Sequence, residues 1–210
     1  MRLNVHLHSR KQKNLIKALS GERLSTYLNE NDNDLEKALG LYIKNIEISA
    51  AFLIPLQVLE VTIRNSLNET IKSHYDTDDW FDVIPLNNFA NQKISSAKQT
   101  VNYQQDNPQI SHVVAELTFG FWLSLIGSEY HQTLWIPFLN KSFPYARKPR
   151  SEIHGHLNHI RKFRNRIAHH EPIFARHLEQ DYNSILLALK WIYPDIASWV
   201  DSNSKVLDVI

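Results

Sequence analysis

Between positions 35 and 74 the apolar residues recur at the helical period: Leu39, Ile43 and Ile46, then Leu56, Leu59, Ile63 and Leu67. Residues three and four apart share a helix face, so this spacing calls for long amphipathic helix whose stripe must be covered by other elements. Alternating runs of Val, Ile and Thr are almost absent, and only 5 glycines interrupt 210 residues. Together these features confine the chain to an all-α fold. The length suits one domain, residues 1–210, with a core over 35–193 and a short helical extension over 1–33. The pattern predicts a helical bundle of about seven to eight helices.

Punctuation residues set the expected element boundaries. One or two short helices over 11–28 break near Ser20 and Gly21. The polar run 29–34 offers Asp32 or Asn33 as the N-cap of the next helix, which extends to about His74. Pro55 either kinks that helix or starts a second one. Further helices are predicted over 88–104, over 112–126 with Ser111 as cap, and over 129–139. Helices over 150–168, 178–193 and 194–200 complete the reading.

Composition narrows the function. A formal net charge of +1 excludes a uniformly basic nucleic-acid coat, so any RNA or DNA contact must come from a local patch. The absence of cysteine excludes disulfides, thiolate zinc sites and a cysteine nucleophile, and is compatible with a reducing cytoplasm. Residues 1–8 lack the apolar core of a signal peptide. The most apolar stretches, 48–61 and 113–126, are interrupted by Pro55, Gln57 and Glu60, and by Glu116 and Ser124. Neither reaches the roughly 20 apolar residues that span a bilayer. The expectation is a soluble cytoplasmic protein with no membrane partner.

The chemistry concentrates at Arg164-Asn165-Arg166-Ile167-Ala168-His169-His170-Glu171. Seven of the 11 histidines lie between His131 and His177. An arginine offers a permanent cation with a fork of donors matched to phosphate, and a histidine can give or take a proton near neutral pH. With Arg164 at zero on a helical wheel, Ile153, Leu157, Ile160 and Ile167 fall within about 60° of it. Arg164 therefore stands beside the buried stripe and needs a carboxylate or an anion pocket. Asn165 and His169, four residues apart, share a flank with His154, Asn158, Arg161 and Lys162, a cationic strip suited to a phosphate backbone. Its plainer reading is a solvated helix face. Arg164 and His169 point about 140° apart on one helix. They converge if the helix ends near His169, where Pro172 disfavours continuation, or if a twofold dimer pools two copies. His170 is expected on the side opposite the strip.

These residues resemble the hallmark of the HEPN superfamily, an arginine followed by four to six residues and a histidine. The longer string through Phe174 is similar to the Abi-like, or abortive-infection, family of bacteria. Leu59-Glu60-Val61-Thr62-Ile63-Arg64-Asn65 and Glu116-Leu117-Thr118-Phe119-Gly120-Phe121-Trp122 resemble further segments of that family. The resemblance runs from about Leu35 to Tyr193, most of the chain. It implies a HEPN-like bundle, a homodimer formed through the motif, and metal-independent cleavage of RNA in phage defence or as a toxin. His169 would move the proton, Arg164 would stabilise charge on phosphorus, and Asn165 would orient the histidine or the phosphate. His170, Glu171 and Arg64 are supporting candidates, and Arg161, Lys162, Arg166 and His154 are RNA-binding candidates. An antitoxin or regulatory RNA is the implied partner. The alternative is an RNA-binding or protein-interaction module of the same fold.

Two simpler assignments compete locally. Glu60 and Arg64 suit an i, i+4 ion pair, with Arg64 beside Arg164 as the other option. His154, His156 and His159 lack a carboxylate or thiolate to complete a metal set, so no metal is expected. Neither a Gly-rich phosphate loop nor a Gly-x-Ser-x-Gly elbow occurs, and no cofactor is expected.

Overall fold

The computed structural model describes residues 9–210, and the signal-peptide reading of residues 1–8 lies outside them. Among the described residues the chain is helical with no strand. Two short helices, α1 (Arg10–Leu19) and α2 (Gly21–Asn29), form a hairpin, with Ser20 at φ 66° ending one and capping the other. Asp32 and Asn33 do not cap the next helix. Both adopt left-handed conformations, φ 51° and 61°, and Asp34 instead accepts hydrogen bonds from the amides of Glu36 and Lys37. Those bonds, above all the one from Lys37, hold the Asp34 carboxyl below the usual carboxylate range.

The helix that follows, α3 (Leu35–Tyr75), runs unbroken for 41 residues through Pro55. Its buried side includes Ile48, Phe52, Leu56, Leu59, Ile63 and Leu67, the stripe read from the sequence. By length and composition α3 is apolar enough to cross a bilayer, which the two interrupted stretches did not foretell. The core helix of a soluble protein passes the same test, so this property selects no compartment.

Around α3 pack α4 (Asn88–Gln104), α5 (Ile110–Glu116), α6 (Phe119–Ser124), α7 (Arg150–Ala168), α8 (Leu178–Lys190), α9 (Pro194–Asn203) and α10 (Val206–Val209). The helix expected over 112–126 is two. It starts earlier, so Ser111 falls inside its first turn, and it breaks where Thr118 caps α6 by accepting from the amide of Phe121. Residues 129–139 are not one helix either. They form short 3-10 and π turns, Ser128–Tyr130, His131–Trp135 and Leu139–Ser142. Pro137 lacks the amide hydrogen that a continuing helix requires. The last of these turns is tied to α3 by Ser66, whose hydroxyl donates to the Ser142 carbonyl at 2.8 Å.

The core has two clusters. The larger joins α3 to α10 around Phe52, Trp80, Phe121, Trp122, Phe163 and Tyr182. The smaller holds Leu24, Tyr27, Leu28, Leu35 and Ala38 under the N-terminal hairpin, and Phe174 packs against both. Phe52 and Phe163 meet edge to face, with ring centroids 4.8 Å apart at 81°, and Phe52 is fully buried. Phe52→Ala is expected to cost about 3–5 kcal/mol in a denaturant melt, because it leaves a cavity between α3 and α7. A loss below about 1 kcal/mol would show that the contact does not organise the core.

Candidate functional site

Ile153, Leu157, Ile160, Phe163 and Ile167 bury one face of α7. That burial fixes the rotation of the helix, and Arg164 follows Phe163 by about 100° around the axis. The Arg164 side chain is 40% exposed, and its Nε donates to Glu60 Oε1 at 2.6 Å. Glu60 is thus spent on Arg164 and not on Arg64. Arg64 donates instead to Asn65 Oδ1 at 3.2 Å.

Glu60, Arg64, Arg161, Arg164, Asn165 and His170 line one open groove of about 880 Å³ between α3, α7 and the break between α5 and α6. Ile46, Leu53, Glu60 and Arg64 lie within about 40° on the wheel of α3, so this helix presents a single flank to the groove. Ile46, Leu53 and Val61 supply an apolar wall and are 47%, 55% and 38% exposed. Trp122 also lines the groove, and its buried indole N–H has no hydrogen-bond partner. Glu116 adds a second carboxylate near the rim. Arg161 is braced by Nε and Nη2 donating to Asn158 Oδ1 at 3.0 and 2.9 Å. These two donors are spent on Asn158, and the bracing fixes the guanidinium in the groove wall.

The histidines differ from the wheel reading. α7 ends at Ala168, and His169 is its C-cap, with its amide donating to the Asn165 carbonyl at 2.9 Å. His170 then takes a left-handed conformation, φ 57°. Past the last helical residue the 100° rule no longer applies, and His170 lines the groove rather than facing away from it. His169 is exposed and is not among the lining residues.

The remaining candidates scatter. Lys162 is exposed outside the groove. Arg166 turns to the loop after the motif, where Nη2 donates to the Pro172 carbonyl at 2.9 Å. Its Nε lies 3.4 Å from Glu171 Oε2, an ion pair without hydrogen-bond alignment. His154 is half-buried, and its pKa is lowered by burial first and then by the charges of Arg150 and Arg161. His156 contacts the Ser184 carbonyl, and His159 contacts Asp181, which Arg176 also grips with two donors. Among the described residues no group of three or more His, Asp or Glu could hold a metal ion.

Sequence reasoning missed Glu60 as the partner of Arg164. The signal was present: an arginine beside an apolar stripe needs a carboxylate, and Glu60 shares its α3 flank with Leu53 and Arg64. Phe119, Phe121 and Trp122 read from the sequence as core or dimer interface more than as a base-stacking surface; they are buried, and Phe119 and Trp122 also line the groove. Compared with protein-family models, curated proteins and solved structures, the chain finds no match.

Two outcomes follow from these electrostatics. With its folded pKa lowered, His154 is protonated more readily in the unfolded chain, so its contribution to stability declines as pH falls through the ordinary histidine range. A titration followed by NMR is expected to protonate His154 at lower pH than an exposed histidine, and Arg161→Gln is expected to move it upward. Glu60→Gln is expected to release Arg164 and tighten pyrophosphate binding about fivefold in calorimetry, the scale of ~1 kcal/mol for a part-exposed ion pair. Unchanged affinity would mean that Glu60 does not compete for the guanidinium.

Proposed function

We propose that this chain is a homodimeric, metal-independent endoribonuclease of the Abi-like, HEPN type, acting in the cytoplasm in bacterial phage defence or as a toxin. One observation carries the reading. Arg164, Asn165 and His170 meet in a groove that also receives Arg64 and Arg161. These are the groups that cleavage of RNA by internal transfer requires. The 2′-oxygen attacks phosphorus and loses its proton to a base. The bond from phosphorus to the 5′-oxygen breaks, and that oxygen takes a proton from an acid. The products are a 2′,3′-cyclic phosphate and a 5′-hydroxyl, with no co-reactant. Arg164 and Arg161 stabilise charge on the phosphoryl oxygens, Asn165 orients the phosphate, and a histidine moves a proton.

The motif spacing supports His169 as that histidine, and a place in the same groove as Arg164 supports His170. His170 is the residue we assign within one protomer. A twofold copy set against the same groove would cover Ile46, Leu53 and Val61 and would bring a second motif within reach. Light scattering at micromolar concentration is expected to give a dimer. A second reading, an RNA-binding module, is favoured by the Glu60 carboxylate already engaging Arg164.

Incubation of RNA in EDTA separates the two. Cleavage is expected for the wild type, with a loss of about a hundredfold or more for His170→Ala. Arg164→Lys is expected to fail as well, because lysine lacks the bidentate fork. RNA retarded in a gel but intact would favour the binding module, and loss of cleavage in His169→Ala alone would move the proton transfer to His169.

A further inference from the structure

We propose that the N-terminal hairpin is a clamp on the motif, with Arg23 as a positioning residue for His170; this rests on the catalytic reading of the groove. The resemblance covers 35–193, and Arg23 lies outside it. Yet Arg23 Nη1 donates to the backbone carbonyl of His170 at 2.8 Å across 147 residues of chain. The residue it grips is the one left-handed residue of the motif.

The left-handed φ of His170 closes the end of α7, where the His170 amide donates to the Ile167 carbonyl at 3.0 Å and the Glu171 amide to the Arg166 carbonyl at 2.8 Å. Three further contacts hold this turn and the loop that follows it. Arg23 holds the His170 carbonyl. Asn45, buried on α3, accepts from the amides of Ile173 and Phe174 at 2.7 and 3.2 Å. From α7, Arg166 donates to the Pro172 carbonyl. Packing joins them: Tyr27 on α2 lies against Phe174, with centroids 5.4 Å apart, and against Tyr42 on α3 at 5.2 Å. Phe174 in turn packs against both core clusters. The loop that carries His170 is therefore pinned between the hairpin and the main core.

The link to function is conformational. At φ 57° His170 lines the groove with Arg164. If Arg23 lets go, the His170 carbonyl loses its tie to the hairpin, the turn rests on its two local backbone bonds, and the imidazole is freer to leave the groove. Asn45 and Arg166 still hold the loop downstream, so the fold persists and only the turn changes. Arg23 is exposed, so its substitution creates no cavity.

The test uses the full chain carrying Arg23→Ala or Arg23→Lys. Backbone and imidazole resonances of His170 are read by NMR, alongside kcat and KM for a single-stranded RNA oligonucleotide in EDTA. For Arg23→Ala the melting temperature is expected to stay near that of the wild type, the His170 resonances to shift, and kcat to fall at least tenfold with KM unchanged. Arg23→Lys, which keeps a cationic donor, is expected to recover much of both. Unmoved His170 resonances would overturn the clamp whatever cleavage does, and so would shifted resonances with unchanged kcat. If the wild type does not cut RNA, the catalytic reading fails separately. The clamp is then judged on the His170 resonances and on the affinity for the same oligonucleotide, and unchanged values of both would overturn it.

Discussion

The edge-to-face contact of Phe52 with Phe163 is the interaction on which the rest of the site depends. It belongs to a stripe on α3 and a stripe on α7, each buried by the hydrophobic effect. Once those stripes face each other, α7 has no rotational freedom left. Arg164, one residue beyond Phe163, must then point along the flank of α3, and Glu60 is the carboxylate on that flank. The groove is what remains when two helices meet along their apolar faces and the break at Thr118 leaves their flanks uncovered.

Electrostatics work within that frame. The groove gathers Arg64, Arg161 and Arg164 on a protein whose net charge is only +1. Concentrating cations on one surface raises the local potential without making the whole protein basic. The lowered pKa of His154 comes first from burial and then from Arg150 and Arg161, of which Arg161 lines the groove. Glu60 offsets part of the local potential and keeps the Arg164 guanidinium paired while no anion is present. A phosphate entering the groove has to compete with a carboxylate, which favours a strongly charged, correctly shaped ligand over a weak one.

Much of the fold was legible because it rests on local rules. The bounds of α4 and α7 follow from periodicity and flanking breakers, and the break between α1 and α2 follows from Ser20 and Gly21. Residues 129–139 were illegible because their aromatics carry a helical pattern while Pro137 denies the backbone a bond. Asp32 and Asn33 look like caps by type, but both took the left-handed turn that lets Asp34 cap. In the site, the need of Arg164 for a partner was readable and the identity of the partner was not, since it depends on how two distant helices dock. The wheel misled at His170 for a plain reason: it extends helical geometry past a residue where helix ends.

Pro55 has a mechanical consequence. With no amide hydrogen there, the carbonyl of Ala51 loses its usual partner one turn ahead. The missing bond falls between Ile46 and Glu60, at the level where α3 forms one wall of the groove. A helix bends most easily where its ladder already lacks a rung. The groove therefore has one stiff wall, α7, and one wall with a built-in flexure, so its width can change without breaking any further backbone hydrogen bond.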